Sequence, residues 1–359
     1  MNKYYRYPSL QYWGDGKDLG FTALFEEDRL KYSESGKFLA DSRSCRYLYT
    51  GFDDPKYIAF WEEMGCHMEV REMDGEKWAL FVPKDVYDEP EKKYPVFMIF
   101  RPLEYYGMVF YRYFFEMAAQ GEFIAIVYSS EDFDKNDIFL RMLDETIAEF
   151  HADPTRVYVT GHSHYGGLAV EFAFRHRDRI AGIAQMSDEA GVIRGFNTIT
   201  DEKIEIMHRY DMPLINLGGT TDFIGIYPVN GDAQGIENTA WLERVGFKTK
   251  KADRIKTWQD RLYALNCRVP SAEEIENAGK NRAERVFGFP ADNMFSFYAE
   301  NTQHYVAQFY NADRKQHFTM VAVDNFTHAV SHVMQEMAWS FLRKFSRDQE
   351  TKEIIEADF

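Results

Sequence analysis

Arg156-Val157-Tyr158-Val159-Thr160, then Gly161-His162-Ser163-His164-Tyr165-Gly166-Gly167, then Leu168-Ala169-Val170-Glu171-Phe172-Ala173-Phe174 read as a strand, a tight bend and a helix in direct succession. The β-branched, apolar run at 156–160 predicts the strand, and the periodic apolar residues from 164 to 176 predict the helix. A serine on such a turn is pushed out beyond the carboxyl edge of the sheet. The first N–H groups of the new helix then face any negative charge that develops beside it. Glycine is required because the backbone folds tightly around the serine.

The flanks extend this pattern. His67–Met73, Asp74-Gly75-Glu76 and Lys77–Pro83 predict an antiparallel hairpin that proline ends. Pro95–Phe100 and Phe123–Tyr128 are continuous apolar runs, as expected of strands buried on both faces. Residues 110–120 and 136–151 read as helices, the second with Asn136 or Asp137 placed to cap it. After the bend come a strand at 180–186, a strand and turn at 212–222, and a strand, loop and long helix over 317–345. Strands alternating with helices imply an α/β protein whose mostly parallel sheet is covered on both faces. Residues 1–66 lack sustained periodicity and read as an N-terminal extension to a domain spanning 67–359. Residues 224–315 are polar and mostly helical, too long for a simple connection, and read as an insertion before the last strand that caps or borders the site.

Taken together, DGEKWALFVPKDVYDEPEKKYPVFMIF, NDIFLRMLDETIAEFHADPTRVYVTGHSHYGG, LGGTTD, the histidine loop DNFTH and WSFLRKFSRD resemble the α/β-hydrolase superfamily. Within it the chain is most similar to the poly(3-hydroxybutyrate) depolymerase and feruloyl-esterase-like branch. The resemblance covers residues 67–222 and 317–347. It departs from the usual Gly-x-Ser-x-Gly at the fifth position, where Tyr165 stands and Gly166 follows one step later. That requires room for a phenol ring at the floor or wall of the pocket.

The resemblance implies a Ser-His-Asp triad, and the chemistry explains the residue types. A serine hydroxyl needs an imidazole to take its proton, and the imidazole needs a carboxylate to fix its tautomer. With Ser163 as nucleophile, the chain order Ser, acid, His points to Asp222 at the end of MPLINLGGTTD and His328 in the loop before the last helix. Asp188 and Glu189, read as exposed turn carboxylates, are the competing acids. His332, His304 and His317 are the competing bases. His328, His332 and Glu336 also have a spacing that would suit a metal, but no further ligand cluster accompanies them, so neither a metal nor a cofactor is expected.

The N–H of His164 is the expected first oxyanion donor. In similar enzymes the second donor follows a His-Gly pair, whereas this chain has Arg101-Pro102-Leu103. Proline lacks an N–H, so the donor falls to Leu103, with the phenols of Tyr105 or Tyr106 as substitutes. Arg101 is read either as holding an acidic substrate group or as a surface ion pair. His162, Tyr165, Tyr105 and Tyr106 border the expected pocket. The expected activity is hydrolysis of small or aromatic acyl esters. The alternatives are amide or peptide hydrolysis on the same fold, or a binding protein that kept the fold and lost turnover.

Composition sets the outer limits. The 359 residues carry 42 Lys+Arg against 58 Asp+Glu, a formal charge of −16, which argues against nucleic acid and anionic membranes as partners. No run of eighteen apolar residues predicts a membrane span. The opening MNKYYRYPSLQYWGDG lacks the apolar region of a signal peptide, and Cys45, Cys66 and Cys267 form no paired spacing, so a cytoplasmic setting is expected. A homo-oligomer is compatible with the sequence without being legible in it. Aromatics make up 16% of the chain, divided between core positions (Phe97, Phe100, Phe110, Phe114, Phe115) and the tyrosines expected near the pocket.

Overall fold

Asp74 and Gly75 close the first hairpin with φ of 53° and 81°, the two positive values that a two-residue hairpin turn needs to match the twist of its strands. Met73 pairs with Glu76 across them. The computed structural model describes residues 48–357 apart from 131, 189–200, 210, 221, 223–250, 279–281, 289, 300–301, 314, 325 and 327. The chain divides into two compact parts, one formed by residues up to Pro154 with Val330–Gln335 and the other by Thr155–Ala329 with Glu336–Phe359.

The first part holds α1 (Pro55–Glu63), β1 (Cys66–Met73), β2 (Glu76–Pro83), β3 (Val96–Phe100), α2 (Tyr105–Phe110), α3 (Arg112–Ala119), β4 (Ile124–Val127) and α4 (Ile138–Phe150). Its strands run β1-β2-β4-β3, with β3 and β4 parallel and the other pairs antiparallel. Every residue of β3 and β4 is buried, which explains their unbroken apolar sequence. Asp137 stands at the N-cap of α4 without a side-chain cap bond. Asn136 instead exchanges two hydrogen bonds of 2.8 Å with Ser130.

The extension is structured where it meets this sheet. Asp54 caps α1 by accepting from the Lys56 N–H at 2.9 Å. Phe52, Tyr57 and Trp61 are buried, and Trp61 meets Phe81 and Phe115 edge-on at 5.6 and 5.9 Å, while those two rings stack 4.1 Å apart. Each such pair contributes roughly 0.5–1.5 kcal/mol beyond its burial. Much of the aromatic excess is thus a core that begins before residue 66.

The second part holds β5 (Val157–His162), α5 (His164–Arg175), β6 (Gly182–Met186), α6 (Asp201–Arg209), β7 (Leu214–Gly219), α7 (Lys251–Ala264), α8 (Ala272–Glu276), α9 (Arg282–Phe287), β8 (Asn293–Ala299), β9 (Thr302–Tyr310), β10 (Gln316–Val323), the part of α10 (His332–Leu342) from Glu336 onward, its first turn belonging to the first part, and the small hairpin β11 (Phe345–Arg347) and β12 (Ile354–Glu356). Its sheet runs β5-β6-β7-β10-β9-β8. The first four strands are parallel, and β9 and β8 add on antiparallel. Among the described residues of the insertion, α7–α9 are helical, while β8 and β9 form a hairpin that widens the sheet, a feature the mostly helical reading of 224–315 did not anticipate. Arg347, fully buried, anchors the closing segment by donating to the carbonyls of Ile180, Lys352 and Asp211 at 2.5–2.6 Å.

Candidate active site

Ser163 links β5 directly to α5 with φ 58° and ψ −132°. A non-glycine residue held there stores roughly 1–3 kcal/mol, which persists only where the surroundings over-determine it. Here they do. A Cβ on Gly161 would lie 2.1 Å from the carbonyl oxygen of Tyr165, so only glycine lets the chain double back. The Ser163 N–H donates to Met186 O at 2.9 Å, and its carbonyl accepts from the Gly166 N–H at 2.8 Å. His164 opens α5, the position where helix geometry leaves N–H groups without intrahelical partners.

The loops after β7 and β10 bring the acid and the imidazole together. Asp222 is fully buried, and Nδ1 of His328 lies 3.0 Å from each of its carboxylate oxygens. The carboxylate accepts, so Nδ1 carries the proton and Nε2 remains the basic nitrogen. The two loops are tied by the Thr220 N–H to Val323 O at 2.9 Å and by the Thr220 hydroxyl to Asp324 at 3.3 Å. His328 also sits beside the bend: its ring is 4.5 Å from that of His162, the residue immediately before Ser163. Ser187 provides a second tie, with its hydroxyl donating to Ala329 O at 3.1 Å. No motif in the sequence marks Ser187 for that role. The visible signal for Ser187 is conformational, a positive φ of 47° directly after β6, which no spacing announces.

The rival acid has a different environment. Asp188 is buried, which corrects its reading as an exposed turn carboxylate. Its Oδ2 accepts from Gln185 at 2.9 Å and its carbonyl from Asn216 at 2.9 Å. Fully buried Arg261 on α7 feels its charge: burial pushes the guanidinium down to about 10, and Asp188 opposes that shift. Glu189 lies outside the described residues. The rival imidazoles are also engaged elsewhere. His332 stacks on Tyr113 at 5.1 Å and His304 on Phe297 at 4.9 Å, while His317 lies 3.7 Å from Asp211. Burial holds the His317 imidazole below its usual range.

The remaining predicted residues divide between the two parts. His162 is buried, and Tyr165, half-buried in the first turn of α5, meets the His164 ring edge-on at 5.6 Å. Arg101, Leu103, Tyr105 and Tyr106 belong to the first part. Arg101 forms an ion pair with Glu104 at 2.6 Å and lies 5.7 Å over Phe110; it is buried rather than on the surface. Leu103 is half-buried in the bend before α2, and the side chains of Tyr105 and Tyr106 lie outside the described residues. Among the described residues, no three His, Cys, Asp or Glu side chains gather as a metal site would require, and no helix is long and apolar enough to cross a membrane.

A serine after the first parallel strand of the second part, a carboxylate after the third and an imidazole after the fourth stand in the chain order Ser, acid, His on a mostly parallel sheet. Among solved structures, the chain is similar to an acetyl xylan esterase from Aspergillus awamori at 14% identity, over 77% of this chain and 99% of the other, with a TM-score of 0.46. It is similar to a ferulic acid esterase at 14% identity, over 55% and 94%, with a TM-score of 0.36. It is also similar to the fluorophosphonate-binding serine hydrolase FphF of Staphylococcus aureus at 13% identity, over 55% and 97%, with a TM-score of 0.35. No protein-family model and no curated protein sequence matches the chain.

Proposed function

We propose that the protein is a serine hydrolase of carboxylic esters in which Ser163 is the nucleophile, His328 the general base and Asp222 the orienting acid. The observation that carries this reading is the Asp222–His328 contact, 3.0 Å to both oxygens, formed beside a serine held in a strained turn. Nε2 of His328 takes the Ser163 hydroxyl proton as Oγ attacks the ester carbonyl. The resulting oxyanion is met by the His164 N–H, and Asp222 stabilises the imidazolium. Collapse expels the alcohol, which takes the proton back from His328, and an acyl-Ser163 ester remains. Water then attacks, giving its proton to His328, and as the bond to Oγ breaks His328 returns that proton to Ser163 and the carboxylic acid leaves.

Esters are favoured over amides by the likeness of the motif stretches to the feruloyl-esterase-like branch, and Tyr165 beside the nucleophile suits flat acyl groups. The test compares wild type with Ser163→Ala on paired acetyl and cinnamoyl aryl esters and on a matched anilide. Turnover of the esters that vanishes in the variant supports the reading. Faster cleavage of the anilide would move the assignment to amides. Activity retained by Ser163→Ala, or phosphonate labelling of Ser163 without any turnover, would overturn the assignment.

A further inference from the structure

The sheet of the second part ends on a strand that its sequence leaves unprotected. β8 pairs with β9 from Asn293↔Gln308 to Ala299↔Thr302 without a register shift, and it is last in the strand order among the described residues. An edge strand offers a row of N–H and C=O groups to any passing strand, and proteins ordinarily blunt it with charges, proline, a bulge or a covering helix. The edge strand of the first part follows that rule. β1 carries Glu69, Arg71 and Glu72, and α1 packs against it. β8 reads Asn-Met-Phe-Ser-Phe-Tyr-Ala, with no charge, no proline, no glycine and no bulge, in a chain of which 28% is charged. Tyr298 is 68% exposed and Phe295 42%, and Ser296 between them is also exposed.

We propose that β8 is a self-association edge: two copies of the chain pair their β8 strands antiparallel about a two-fold axis near Ser296. Two features select a second copy over a foreign partner. A molecule with a formal charge of −16 meets its own copy most easily where no carboxylates are opposed, and β8 is such a stretch; a basic partner would find no counter-charge there. The strand is also nearly symmetric about Ser296, with Phe295 and Phe297 flanking it and Met294 and Tyr298 beyond. A two-fold interface needs this self-complementarity, because each residue meets a position that in turn meets it. With the axis at Ser296, Phe295 faces Phe297 of the other copy and Met294 faces Tyr298, the apolar and aromatic cross-strand pairs that stabilise sheets.

The inference is independent of the catalytic reading, and its test does not use turnover. Sedimentation of the full chain is expected to give a concentration-dependent species of twice the 42.2 kDa chain mass. Phe295→Lys with Tyr298→Lys should raise the dimer dissociation constant roughly a hundredfold, with an unchanged melting temperature to show that the fold survives. Cysteines introduced singly at Phe295, Ser296 and Phe297 locate the axis, since residues facing each other across a two-fold approach within disulfide reach. Mild oxidation should cross-link one of them, whereas Ile355→Cys, exposed on β12, should not. A protein that stays at single-chain mass at 100 μM overturns the proposal. So does a dimer that ignores the double lysine variant, or exchange-protected β8 amides in a monomer, which would mean that the chain covers its own edge.

Discussion

Asp188 and Asp222 both follow a strand of the same sheet and both are fully buried, and the partners seen at the two carboxylates differ: Asp222 faces an imidazole and Asp188 an amide. Asp222 sits at the end of β7 with both oxygens on His328. Asp188 sits at the end of β6 among the amides of Gln185 and Asn216, in the field of Arg261. Burial alone therefore does not mark a candidate catalytic acid. A buried carboxylate must have a partner in any case, and the chemistry of that partner separates an orienting group from a structural one.

Substitutions at the two aspartates and at Ser163 should separate an orienting carboxylate from a structural one. Ser163→Ala should cost the most, a drop in kcat on the order of 10⁴- to 10⁶-fold against an aryl ester; a smaller loss would mean that another nucleophile operates. Asp222→Asn should lower kcat roughly 10³- to 10⁴-fold and leave KM nearly unchanged, because the amide favours the wrong imidazole tautomer. Stopped or burst kinetics would separate that loss from one in binding. Asp188→Asn should behave in the opposite way. Activity per folded molecule stays within about tenfold, while denaturant unfolding shows a loss of roughly 1–3 kcal/mol, because the bond from Gln185 is weakened and the charge that offsets buried Arg261 is removed. Converting Arg261 to Met in the same chain should recover much of that stability. If Asp188→Asn proved the catalytically silent and stability-neutral change, its charge would not be what holds Arg261 in place.

The smallest effect concerns pH and sharpens the same contrast among imidazoles. His317, at the start of β10, is buried, and its folded-state pKa lies below the unfolded value of about 6.5. Its contribution to stability is therefore complete above that value and is lost as pH falls through the depressed one, since the unfolded chain then binds the proton more readily. Urea midpoints compared at pH 7.5 and 5.5 should show a decline that His317→Gln reduces.

The bend that carries Ser163 was legible because its signals are local. A strand, a glycine-bounded serine and a helix start lie within a dozen residues, and the same sterics that leave no space for a Cβ on Gly161 require the glycine in the sequence. The hairpin at 66–83 was legible for the same reason, since Asp-Gly is the pair that accepts two positive φ values. Three other features were not legible. Phe52, Tyr57 and Trp61 lie in a stretch without periodicity, yet they join an aromatic core with Phe81 and Phe115. β8 and β9 sit in a polar insertion that read as helical. Ser187, which holds the histidine loop, carries no motif at all.

The amino-acid sequence by itself determined the order of elements, the bend at Ser163 and the chain positions from which an acid and an imidazole could be drawn, because periodicity and turn chemistry act over a few residues. Tertiary structure alone decided which aspartate meets His328, which buried arginine lies in the field of Asp188 and which strand is left at the edge. Those pairings join residues dozens to more than a hundred positions apart. They depend on how the parallel strands align their carboxyl ends, a property of the sheet that is written in no single segment.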